Sequence, residues 1–114
     1  MPNSDLVRLR HILDAAREAV AFCHTRSRQD LDTDRMFYHC LIRLLEVVGE
    51  AARAVSRSFR DAHPDIAWRR MVGMRDRLSH GYFDINRDIL WQTATEDLPA
   101  LIREVERAAE PPQP

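Results

Sequence analysis

At 114 residues, 45% hydrophobic and 31% charged, the chain has the size of one domain that can bury a core without staples. Its net charge of −1 excludes a general polyanion-binding protein. No apolar h-region follows Met1 and no run approaches the ~18 apolar residues of a membrane span, so a cytoplasmic protein with no membrane partner is expected.

The apolar pattern is helical from end to end. Ser4 is placed to cap a first helix, with Asp5 favourable against its dipole. Leu6, Leu9, Leu13, Ala16, Val20 and Cys23 then recur at steps of three and four, which is one helix face. Residues 25–32 read as a polar connection. Thr33 can cap a long second helix whose stripe comprises Met36, Phe37, Cys40, Leu41, Leu44, Leu45, Val47, Val48, Ala51, Ala52 and Val55. So wide an arc implies packing on more than one neighbour. Gly49 inside it costs ~1 kcal/mol against alanine and would let another backbone come close. Cys23 and Cys40 both fall in these patterns, so two buried thiols are expected, not a disulfide framework.

His63-Pro64-Asp65 reads as a turn and cap. A third helix follows from Ile66 to about His80, with Trp68, Met71, Met74 or Arg75, and Leu78 inward, and Gly81 as its left-handed C-cap. Asp84 or Asn86 opens a fourth helix carrying Ile85, Ile89, Leu90 and Thr93. Pro99 either kinks that helix or marks a new start capped by Thr95 or Asp97. Leu98, Leu101, Ile102, Val105 and Ala108 continue the stripe. The expected architecture is an all-α, up-and-down bundle of four to five helices over residues 1–110, with a disordered proline-rich tail at 111–114.

The chemistry concentrates in Arg75-Asp76-Arg77-Leu78-Ser79-His80-Gly81-Tyr82. Arginine grips phosphate with a forked set of donors, and histidine exchanges protons near neutral pH. Together they are a minimal kit for cleaving a phosphodiester without a metal. Five residues apart on an ideal helix, Arg75 and His80 lie ~140° apart around the axis. They need either unwinding at Gly81 or a second chain, with two copies meeting at a two-fold axis. Asp76 and His80, four apart, do share a face. Asp76 either fixes the imidazole tautomer or forms an ordinary surface pair. Tyr82 stands either at the helix end in water or under the turn beside Phe83. His11, His24, His39 and His63 lack paired ligand spacing, so no metal site is expected. Glu46 and Glu50, one turn apart, are either inward acids or a solvated edge.

Charge is unevenly spread. Every one of the 17 basic residues is arginine. Residues 53–77 carry seven arginines against three aspartates, whereas residues 84–114 carry seven acids against three arginines. The first region is either a phosphate-attracting surface or a solvated helix face.

Arg75, four residues, His80, Gly81 and Tyr82 resemble the arginine-x4-histidine-x-tyrosine motif of the HepT-like toxins of the HEPN superfamily. Val48-Gly49-Glu50-Ala51-Ala52, Pro64-Asp65-Ile66-Ala67-Trp68, Ile89-Leu90-Trp91 and Asp97-Leu98-Pro99 resemble flanking segments of that family, in order, over about residues 5–108. The resemblance implies a HEPN-like bundle that dimerises with the motif at the interface. It implies the toxin of a type VII HEPN/MNT toxin–antitoxin system, a metal-independent endoribonuclease in which Arg75 and His80 act on the scissile phosphate of RNA. It further implies a small nucleotidyltransferase antitoxin that transfers AMP from ATP to Tyr82, so that ATP is the partner's cosubstrate and the chain needs no cofactor. The polar residue after the family's arginine is here Asp76, which suits an orienting role. The alternative is a non-catalytic binding or recognition subunit of such a nucleotidyltransferase.

Overall fold

The computed structural model describes residues 3–78 and 85–110, with Asn3, Arg75 and Leu78 described by backbone alone. The expected all-α bundle is what forms. Helix α1 spans Asn3–His24 and α3 spans Arg35–Ala54, and these two pack along each other. The third long member is a continuous run: α7 (Arg87–Gln92), a π-helical turn (Thr93–Asp97) and α8 (Leu98–Ala109). Between them lie short helices α2 (Asp30–Thr33), α4 (Arg57–Ala62), α5 (Trp68–Val72) and α6 (Met74–Leu78). The Gly81 cap, the Asp84 alternative and the tail at 111–114 lie outside the described residues.

The core joins α1, α3 and α8. Leu9, Ile12, Ala16 and Ala19 of α1 meet Leu41, Leu45, Val48 and Ala52 of α3 and Leu98, Leu101 and Val105 of α8 in one buried cluster. Burying such side chains contributes roughly 1.5–3 kcal/mol for each large one. The wide stripe of α3 does serve several neighbours, since α1, α5 and α6 all pack on it. Gly49 fulfils its expected role: a Cβ built there would lie 3.0 Å from the Met71 carbonyl oxygen and 3.6 Å from that of Val72. Backbone of α5 therefore seats directly on α3.

Several sequence expectations are corrected. Helix α1 already begins at Asn3, so Ser4 is inside its first turn and not a cap. Asp5 turns inward and is only 2% exposed. It accepts from the Ser56 backbone N–H at 2.8 Å and from Ser56 Oγ–H at 2.6 Å. Ser56 Oγ in turn accepts from Phe59 N–H and caps α4, a helix absent from the sequence reading. The polar connection contains α2, whose Leu31 is buried. Thr33 ends that helix, and Asp34 caps α3 by accepting from Phe37 N–H. Cys23 is buried as expected, but Cys40 is exposed, as is Met36 at 84%. The third helix starts at Trp68 and is divided at Gly73 into α5 and α6.

Asn86 is the cap of α7, accepting from Ile89 N–H at 3.0 Å. Pro99 neither breaks the run nor needs a new cap. It falls in the first turn of α8, directly after the π-helical turn, and neither Thr95 nor Asp97 caps with its side chain. A proline ring clashes with the carbonyl four residues back in a tight α-helix, and a wider turn relieves that clash. Thr95 Oγ–H instead donates to the Trp91 carbonyl at 2.8 Å.

Candidate active site

The motif begins on α6, a five-residue helix whose backbone carries Arg75, Asp76 and Arg77. Met74 opens it and is buried at 1% exposure, which fixes the inner side of the helix on α3. Of the four expected site residues, the structure describes the side chain of Asp76 alone. His80 and Tyr82 lie outside the described residues, as does the Arg75 side chain.

Asp76 is exposed and makes no side-chain hydrogen bond or ion pair with another described residue. It lines a hollow of about 160 Å³ together with Glu46, Gly49, Glu50, Arg53 and Val72. The sequence reading left Glu46 and Glu50 open between inward acids and a solvated edge. They line this hollow from its α3 side, with Glu50 two-thirds exposed and Glu46 more covered. Arg43 lies 3.7 Å from both carboxylates, which is loose pairing in water. Three carboxylates and the Arg53 guanidinium thus line this hollow beside the motif helix.

Arg77, next to Asp76, is anchored away from this hollow. Its Nη1 donates to Asp97 Oδ2 at 3.0 Å, and Arg70 Nη1 of α5 lies 3.9 Å from Asp97 Oδ1. The Asp97 side chain is only 15% exposed. One carboxylate of the π-helical turn therefore holds the motif helix α6 by a hydrogen bond from Arg77, with Arg70 of α5 in looser ion-pair range. Sequence reasoning considered Asp97 as a cap alone. The signal that could have found this role was the pair Arg70 and Arg77, seven residues apart and on one face of a helical run.

The basic region 53–77 is partly neutralised and partly free. Arg70 and Arg77 are engaged by Asp97, and Arg57 Nε lies 4.0 Å from Asp61. Arg53, Arg60 and Arg69 pair with no carboxylate among the described residues. No group of three or more His, Cys, Asp or Glu suited to a metal ion occurs among the described residues. No helix among them is long and apolar enough to cross a membrane.

The sequence of residues 12–108 matches the family model described as ribonuclease HepT-like. The chain belongs to the HepT-like family. Its matched region contains the whole Arg75–Tyr82 motif and all of α3 to α7. Relatives of this HepT-like chain include a protein of Methanocaldococcus jannaschii named as a candidate RNase, 36% identical over 83% of this chain and 87% of its own. A protein of Thermococcus cleftensis named as a candidate ribonuclease HepT is 41% identical over 64% of this chain and 66% of its own. Another candidate RNase, from Caldanaerobacter subterraneus, is 33% identical over 85% of this chain and 87% of its own. No solved structure matches the chain significantly.

Proposed function

We infer that this protein is an endoribonuclease that cuts RNA without a metal ion, with Arg75 and His80 as its catalytic residues. The observation that carries this reading is the family match across residues 12–108, which includes the motif in its full Arg75-x4-His80-x-Tyr82 form. The ribose 2′-hydroxyl attacks the adjacent phosphorus, and the bond to the 5′-oxygen of the next nucleotide breaks. A histidine removes the 2′-hydroxyl proton, a histidine returns a proton to the leaving 5′-oxygen, and Arg75 stabilises charge on the phosphate oxygens. The products are a 2′,3′-cyclic phosphate and a 5′-hydroxyl.

The ~140° between Arg75 and His80 on an ideal helix favours a site made by two copies of the chain. A homodimer supplies two histidines, one for each proton transfer. Asp76, exposed and without another described partner, is available to hold the imidazole and raise its pKa. Tyr82 is the acceptor of AMP: its hydroxyl oxygen attacks the α-phosphorus of ATP on a partner nucleotidyltransferase, pyrophosphate leaves, and an adenylate then occupies the motif. The protein is in this reading the toxin of a cytoplasmic toxin–antitoxin pair.

The test is cleavage of single-stranded RNA by purified protein in EDTA, with end-group analysis. Cyclic phosphate ends are expected, and His80→Ala should slow cleavage by about 10²–10⁴-fold. Equal rates for parent and His80→Ala overturn the catalytic assignment. If neither cuts, yet the nucleotidyltransferase adds AMP to Tyr82, the non-catalytic target subunit is the correct reading.

A further inference from the structure

A second concavity shares the lining residue Val72 with the hollow of Asp76. It holds about 570 Å³ and is lined by Arg57, Arg60 and Asp61 of α4 and by Trp68, Arg69, Val72 and Gly73 at α5. Three arginines and one aspartate line it. Val72 borders both concavities, so the arginine cleft adjoins the motif helix through a single shared wall. Gly73 closes the cleft at that end, and α6 starts at the next residue.

The arginines here are not committed to structure. Arg69 and Arg60 pair with no carboxylate among the described residues. Arg57 meets Asp61 only at 4.0 Å, with the two side chains 90% and 74% exposed, a pair worth little in water. Arg60 Nε is buried, with no acceptor among the described residues. The cleft floor is rigid by contrast: Trp68 donates its indole N–H to the His63 carbonyl at 2.9 Å and packs edge-on to Phe59. The three arginines thus come from two helices, α4 and α5, that Phe59 and Trp68 pack together, and offer several guanidinium groups to a polyanion.

We propose that this cleft binds the backbone phosphates of single-stranded RNA flanking the scissile bond, with Arg57, Arg60 and Arg69 as the contacting residues. The proposal rests on the ribonuclease reading for its substrate, yet it makes a separate claim about binding. Forked guanidinium donors match phosphate oxygens, and such contacts carry affinity without base preference. The neighbouring hollow sets three carboxylates, Asp76, Glu46 and Glu50, against the one lining guanidinium of Arg53, so the cleft across Val72, with three arginines and one aspartate, is the more favourable of the two for phosphate.

The test uses the full chain with His80→Ala as background, so that binding is measured without cleavage. Anisotropy of a labelled 12-nucleotide RNA is followed from low to high salt for that protein and for the same protein with Arg57→Gln and Arg69→Gln. Losing two phosphate contacts should weaken binding roughly tenfold at low salt and reduce the slope of log affinity against log salt by about 1.4. A matched pair, Arg10→Gln with Arg107→Gln, removes the same charge from residues that do not line the cleft and should leave the slope unchanged. Equal slopes for cleft and control variants overturn the proposal, as does failure of the background protein to bind RNA. In a protein with His80 intact, Arg57→Gln with Arg69→Gln should raise KM for the 12-mer far more than KM for a dinucleotide, and equal rises for the two substrates overturn the proposal. A parent that binds with the expected slope but cuts nothing rejects the ribonuclease reading alone.

Discussion

Arg77 Nη1 lies 3.0 Å from Asp97 Oδ2, joining the motif helix to a helical turn 20 residues later in the chain. Arg70 of α5 approaches the other oxygen of the same carboxylate at 3.9 Å. Helices of five residues have no stability of their own, because nucleation costs more than so few hydrogen bonds return. The position of α6 therefore depends on tertiary anchors, and Asp97 with buried Met74 supplies them.

Asp97→Asn should accordingly loosen α6 more than it destabilises the whole protein. The global loss is about 1 kcal/mol, since both arginines are half-exposed, and Tm should fall by roughly 4 °C. Hydrogen exchange should accelerate at the amides of residues 74–78 well before those of α1. Uniform acceleration across the chain would show that Asp97 does not anchor the motif helix in particular.

Asp5 predicts an acid-sensitive joint. Its two hydrogen bonds from Ser56 hold its carboxyl below the usual carboxylate range, against the opposing effect of burial. A carboxyl depressed in the folded state contributes stability above its unfolded pKa and loses that contribution as pH falls through the folded value. Parent stability should therefore decline below about pH 4. Asp5→Ala should cost about 2–3 kcal/mol at pH 7, because it leaves the Ser56 donors unpaired. The gap between parent and variant should narrow in denaturant titrations at pH 3. A constant gap would show that ionised Asp5 is not what holds α4 to α1.

Gly49→Ala tests the close approach of α5 to α3. Helix propensity alone would raise stability by ~1 kcal/mol. The new Cβ would sit 3.0 Å from the Met71 carbonyl oxygen, a backbone atom that cannot rotate away. Overpacking of this kind costs about 1–3 kcal/mol, so a net loss is expected and Tm should fall. A higher Tm would mean that α5 moves freely on α3.

The two thiols should differ sharply. Burial pushes the Cys23 thiol up to about 11, while Cys40 is exposed. At pH 8 a thiol reagent should modify one cysteine in the native protein and two in denaturant. Cys40→Ser should abolish the native reaction, and a persistent reaction in that variant would place Cys23 at the surface.

The long elements were legible because their apolar spacing repeats over many turns. Leu9, Leu13, Ala16 and Cys23 on α1, and Leu41, Leu45 and Val48 on α3, are buried where the period puts them. The short elements were not. Helix α4 is set by Ser56 and by Asp5, 51 residues earlier, and no local window contains both. Cys40 and Met36 lie on the edge of a wide stripe, where periodicity alone does not tell covered from open. For the site, the motif and its flanks were readable as a pattern, and so was the basic composition of residues 53–77. Which arginines are engaged was not readable, since that depends on Asp97 reaching back to Arg70 and Arg77 from the end of the chain.

The π-helical turn at Thr93–Asp97 works as a phase shifter. A π-turn holds about one residue more than an α-turn, and one residue of helix is ~100° of rotation. Helix α7 addresses α2 and α6, while α8 addresses α1, although the two form one unbroken rod. Removing a single residue from this turn would leave composition, hydrophobicity and helix content almost unchanged. An ordinary α-turn could then close in its place with Leu101 and Val105 still facing the core, whereas removing a residue from within α8 would rotate everything beyond it by ~100°. The wide turn thus absorbs one extra residue while each end of the rod keeps its own face inward.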